Sequence, residues 1–122
     1  MVRLDHISLP VRDWKTSRDW WREHLGFAVE FEIPERNTVA MVDEAGLTVF
    51  LHNSAEMAPC AATFTIQVDD VEAKCRELTA HGVALVHGPR KVMWGYGAEL
   101  LDPNGYRLQL WDEASMTKKG GG

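Results

Sequence analysis

Gly46-Leu47-Thr48-Val49-Phe50-Leu51 and Gly105-Tyr106-Arg107-Leu108-Gln109-Leu110 are two versions of one pattern, a turn glycine followed by alternating side chains. Alternation with a period of two marks a half-buried strand, because successive side chains leave a strand on opposite sides. Two further pairs of segments lie in the same order along the chain. Asp5-His6-Ile7-Ser8-Leu9-Pro10-Val11-Arg12-Asp13 matches Ala62-Thr63-Phe64-Thr65-Ile66-Gln67-Val68-Asp69-Asp70. His24-Leu25-Gly26-Phe27-Ala28-Val29 matches His81-Gly82-Val83-Ala84-Leu85 after one deletion. Three ordered matches define an internal repeat. Its halves are residues 1–54 and 60–115, joined by Asn53-Ser54-Ala55-Glu56-Met57-Ala58-Pro59. Residues 116–122, with Lys118-Lys119 and three closing glycines, read as a frayed tail.

Each half reads as βαβββ. Residues 2–10 alternate and form a strand. Asp13 caps a helix running to Leu25, with Trp14, Trp21 and Leu25 on one face, and Gly26 stops it. Residues 27–33, 36–43 and 46–52 then form three antiparallel strands, with turns at Pro34-Glu35 and Glu44-Ala45-Gly46. In the second half the strand is residues 61–68. The helix is 70–81, with Val71, Cys75 and Leu78 inward, and the later strands are 83–87, 92–101 and 106–112. Asp102-Pro103-Asn104-Gly105 is a hairpin turn, because proline presets φ and Asn-Gly tolerates positive φ. A βαβββ unit leaves one sheet face open once its helix covers the other. The expected fold is therefore α+β, two tandem βαβββ modules whose curved mixed sheets enclose a cleft for a small molecule.

Composition narrows the function. The net charge of −5 and the lack of a basic stripe exclude a nucleic-acid partner and are compatible with a cationic ligand. No apolar run approaches the ~20 residues of a membrane helix. Met1 leads straight into a strand-like segment, so no signal peptide is read and a cytosolic location is expected. Cys60 in the joint and Cys75 on a helix read as reduced thiols, with no base beside either for nucleophilic chemistry. No phosphate-binding glycine loop occurs. Five tryptophans (Trp14, Trp20, Trp21, Trp94, Trp111) supply large flat surfaces that fill cores or line pockets for flat or cationic ligands.

Four motifs carry a family resemblance. They are Leu4-Asp5-His6-Ile7, Trp20-Trp21-Arg22-Glu23-His24-Leu25-Gly26-Phe27, Trp94-Gly95-Tyr96-Gly97, and Asp102-Pro103-Asn104-Gly105-Tyr106-Arg107-Leu108-Gln109-Leu110. Over about residues 2–112 the chain resembles the vicinal-oxygen-chelate superfamily of glyoxalases, ring-cleaving dioxygenases, epimerases and bleomycin-resistance binding proteins. The resemblance implies paired βαβββ modules and commonly a homodimer, the modules pairing within one chain or swapping between two.

In the enzymes of that superfamily four strand positions hold a divalent metal, a Lewis acid that takes up adjacent substrate oxygens. By motif these positions fall on His6, Phe50, Thr63 and Gln109. One imidazole, one neutral amide, one hydroxyl and one phenyl ring make a poor site for such an ion, so no cofactor is expected. A displaced set of His6, His52 and Glu99 or Gln109 is the one alternative for a metal-dependent lyase, isomerase or dioxygenase. The cleft lining, taken by twos from His6, comprises Leu4, His6 and Ser8; Thr48, Phe50 and His52; Ala61, Thr63 and Thr65; and Arg107, Gln109 and Trp111. Met41 and Val39 are expected to add to its floor. Trp94 and Tyr96 are expected from the strand that lies over the ligand in the binding members. The favoured reading is a binding protein of the bleomycin-resistance kind, sequestering an aromatic or cationic organic compound. A domain devoted to protein association is the third possibility.

Overall fold

The computed structural model describes residues 1–56 and 61–121, which leaves Cys60 and the Met57-Ala58-Pro59 end of the joint outside the described residues. The chain divides into two compact units, Met1–Pro59 and Cys60–Gly122. Each is an α+β module with a four-stranded mixed sheet.

In the first unit, β1 (His6–Val11) leads to α1 (Trp14–Leu25), β2 (Ala28–Ile33), β3 (Thr38–Val42) and β4 (Thr48–Asn53). The sheet order is β1-β4-β3-β2. β1 and β4 run parallel, and the other neighbours are antiparallel. Asp13 caps α1 by accepting from the Lys15 N–H and the Thr16 hydroxyl. Gly26 ends the helix at φ 73°, a left-handed conformation that costs glycine nothing. Trp14, Ser17 and Trp21 are buried on one side of α1, and Phe27 meets Trp21 edge to face at 5.1 Å. The core beneath α1 is Leu9, Val11, Val39, Met41, Val49 and Leu51. Full burial of each such side chain contributes roughly 1.5–3 kcal/mol. β1 begins at His6, so Leu4 precedes the sheet and is exposed.

The second unit repeats the plan: β5 (Thr63–Gln67), α2 (Val71–Ala80), β6 (Leu85–Val92), β7 (Gly95–Leu101) and β8 (Arg107–Trp111), in the order β5-β8-β7-β6. Asp70 caps α2, and Val71, Cys75 and Leu78 are buried. Burial pushes the Cys75 thiol's pKa up, which keeps it protonated and inert. Ala61 lies outside β5. Gly88-Pro89 does not end a strand but sits inside β6, where the register shifts. The turn between β6 and β7 falls at Met93-Trp94, and residues 102–105 form the expected turn between β7 and β8.

The repeat extends to a brace between strand and helix. In the first unit the Asn53 side-chain oxygen accepts from the Trp14 N–H at 2.7 Å. In the second, Asp112 Oδ2 accepts from the Val71 N–H at 2.6 Å. Asn53 ends β4 and Asp112 directly follows β8, its counterpart in the repeat, and both acceptors satisfy a donor that a helix start leaves open.

Asp112 does a second task. Its Oδ1 accepts from the Ser115 N–H at 2.6 Å and caps α3 (Glu113–Lys119). The segment read as a frayed tail is therefore helical as far as Lys119. Lys119 holds Glu72 of α2 at 2.9 Å and lies over the Tyr96 ring at 5.1 Å. Among the described residues no helix is long and apolar enough to cross a membrane.

Candidate functional site

Register assigns the paired strand residues to a side. In the first unit α1 covers Leu9, Val11, Val49 and Leu51. Val39 and Met41 pair with Leu51 and Val49 and so belong to that covered side. Met41 is fully buried there and does not line the open face. The open face instead receives Ala40, which stands opposite Phe50 on β4 and opposite Phe31 on β2. His6, Ser8, Thr48, Phe50 and His52 occupy the same open face.

An aromatic row crosses this face. His6 meets Phe50 edge to face at 4.9 Å, and Phe50 meets Phe31 at 5.7 Å. Ala40 makes the row possible, since a larger side chain opposite both phenyl rings would separate them. Phe31 remains 43% exposed, so the row is open to a ligand rather than sealed as core. Polar groups border it. His6 Nδ1 lies 3.0 Å from Asp5 Oδ2. That contact, together with Arg3, holds the Asp5 carboxyl below the usual carboxylate range. The Thr48 hydroxyl donates to Glu30 at 2.8 Å. Phe31 and Ala40 were not singled out from sequence. The β2 register shift between Val29 and Phe31 turns Phe31 outward, and strict alternation does not anticipate such a shift.

The open face of the second unit carries Thr63, Thr65 and Gln67 from β5, and Arg107, Gln109 and Trp111 from β8. It also carries Glu99, in register with Gln109, which settles the side on which Glu99 lies. Glu99 is buried, and its carboxylate accepts from Arg107 Nη2 at 2.9 Å. The Thr65 hydroxyl donates to Gln109 Oε1 at 3.1 Å. Trp94 reaches this face from the hairpin turn rather than from a strand. Its indole rests on Gly97, where a β-carbon would collide with it and with the Leu110 carbonyl. Tyr96 points the other way, and its hydroxyl donates to Glu72 of α2 at 3.0 Å. It braces the helix side and takes no part in the open face.

The four positions that the resemblance assigns to a metal carry His6, Phe50, Thr63 and Gln109. Phe50 offers no lone pair and is packed on the His6 ring, and the Gln109 oxygen already accepts from Thr65. The displaced set fares no better. His6 stands opposite Thr48, four residues from His52 on the same strand. Their backbones lie about 13 Å apart along the strand, and side chains on one sheet face project side by side, so the two rings do not converge on one ion. Glu99 is committed to Arg107. Among the described residues no group of three His, Cys, Asp or Glu side chains is placed to hold a metal ion. The residues present do not fit the ion.

Residues 3–110 match the sequence model of the Glyoxalase/Bleomycin resistance protein/Dioxygenase superfamily. The chain belongs to this superfamily. No protein of curated function matches it. Solved structures of similar fold include TnmS3, an antibiotic binding protein from Streptomyces sp. CB03234. It is 26% identical with a TM-score of 0.78, over 92% of this chain and 96% of that one. An integron cassette protein from the mobile metagenome of a Halifax Harbour sewage outfall is 23% identical with a TM-score of 0.76, over 90% and 97% of the two chains. Lactoylglutathione lyase from Agrobacterium tumefaciens is 15% identical with a TM-score of 0.73, over 92% and 94%. The fold is therefore shared with an antibiotic binding protein and a lyase alike, and the side chains must decide between such roles.

Proposed function

We propose that this superfamily member is a binding protein that sequesters an aromatic organic compound on its open sheet faces, without a metal. The observation that carries the reading is Phe50. At a position where the enzymes need an electron-pair donor, it instead forms the centre of the His6–Phe50–Phe31 row. Planar ligands gain from such edges and faces beyond the area they bury. Sequestration needs affinity and no bond-breaking, so a phenyl ring at a ligand position does not impair it. The description of TnmS3 as an antibiotic binding protein supports the same reading.

The test is binding of naphthalene compounds, followed by quenching of tryptophan fluorescence. Phe50→Ala should weaken the best-bound compound about 30-fold, the loss expected for a central aromatic anchor. Phe31→Ala, at the exposed end of the row, should cost less, about 3- to 10-fold. Unchanged affinity in Phe50→Ala would place the ligand elsewhere.

A further inference from the structure

The open face of the second unit differs in sign from the chain as a whole. The protein carries a net charge of −5. Yet this face presents Arg107 from β8 and Arg90, opposite Gly97, from β6. Among its described strand residues the one carboxylate is Glu99, which is only 6% exposed. That carboxylate is turned to Arg107 Nη2, while the Arg107 side chain remains 47% exposed. A guanidinium has five N–H donors in a fixed fork, and the bond to Glu99 uses one of them. Gln109 adds to the donors. With Oε1 taken by the Thr65 hydroxyl, its amide nitrogen is the end left for a ligand. His87, opposite Glu99, has Nδ1 engaged by the Gly88 carbonyl. Trp94, laid on Gly97, and Trp111, opposite Gln67, supply flat surface on the same side.

We infer that this face selects an aromatic acid, a ring bearing a carboxylate, over the cationic compound that the overall charge would favour. Arg107 is the specificity-determining residue, and it meets the carboxylate with the outer edge of its fork. Glu99 is a positioning residue that fixes the guanidinium from behind. The local donors outweigh the distant acidic side chains, because exposed charges beyond ~8–10 Å are largely screened at physiological salt. This inference rests on the binding reading above.

Three probes of one ring size separate the two. They are 2-naphthoate, 2-naphthylmethanol and 2-naphthylmethylammonium, titrated into wild-type protein. The expected order is naphthoate tightest, at least tenfold ahead of the ammonium compound. Glu99→Gln/Arg107→Met, which replaces the pair by neutral groups of similar volume, should remove the naphthoate preference and leave naphthylmethanol binding within about twofold. Arg107→Lys should keep part of the preference, since it retains charge but loses the fork. Equal affinity for all three probes, or a preference for the ammonium, would overturn this inference and leave the binding reading standing. Failure of every probe to bind would overturn both.

Discussion

Asp112→Ala lowers the unfolding free energy by about 2–4 kcal/mol, which makes it one of the most damaging single substitutions in the chain. The carboxylate joins three elements of the second unit. It follows β8, closes the first N–H of α2 at Val71, and caps α3 through the Ser115 N–H and hydroxyl. Loss of a cap costs about 1 kcal/mol, and a buried donor left without a partner costs a further 1–3 kcal/mol. Asp112 is 1% exposed, so water does not readily take its place. Urea unfolding followed by circular dichroism reads the loss as a lower midpoint. Asn53→Ala, which frees only the Trp14 N–H, should lose about 1 kcal/mol by the same measurement.

The Asp112 effect has a defined pH dependence. Burial by itself would raise the pKa of this carboxyl, but the Val71 and Ser115 N–H groups and the Ser115 hydroxyl outweigh it and hold it below the usual carboxylate range. A carboxyl whose pKa is lower in the folded than in the unfolded chain stabilises fully above the unfolded value, about 3.9. That contribution is lost as the pH falls through the lower, folded value. The stability gap between wild type and Asp112→Ala is therefore constant from pH 7 to about 5 and narrows below about 4. A gap that widened on acidification would contradict the assignment.

Gly97→Val is the second large effect, a loss of about 2–3 kcal/mol in the same unfolding experiment. Gly97 is needed because of what lies against it. A β-carbon there would strike the Trp94 ring and the Leu110 backbone carbonyl of the neighbouring strand. The ring can swing away, but the carbonyl belongs to the ladder between β7 and β8 and cannot. In a Trp94→Ala background the cost of Gly97→Val should fall only in part, and that coupling identifies the share due to the indole. Complete rescue by Trp94→Ala would show that the strand backbone tolerates the extra atoms.

The fold was largely legible because two independent signals agreed, the period-two alternation of the strands and the repetition of the whole βαβββ order. The helix limits followed from Asp13 with Gly26 and from Asp70, whose chemistry is local. The site was legible where a strand alternates sharply, as in Thr48 to His52 and Arg107 to Trp111. Legibility failed where alternation carries no contrast. Val39-Ala40-Met41 is apolar and buried throughout, so only pairing with β4 reveals that Ala40 rather than Met41 faces outward. It failed again at irregularities. The β2 register shift redirected Phe31, and the strand expected at 83–87 runs on through Gly88-Pro89 to Val92, which put Trp94 in a turn and Tyr96 on the helix side. The helical end of the chain was missed because its cap, Asp112, was counted as the last strand residue. The double use of its carboxylate depends on where α2 begins in space.

We propose that this member of the superfamily holds its ligand without a metal. Calorimetric titration of chelator-treated protein with its best-bound naphthalene probe, repeated with one equivalent each of zinc, manganese and nickel, tests this directly. The expected result is the same affinity in every titration and no stoichiometric uptake of any of the three ions. Binding that appears only once an ion is added, or one ion taken up tightly per chain, would contradict it.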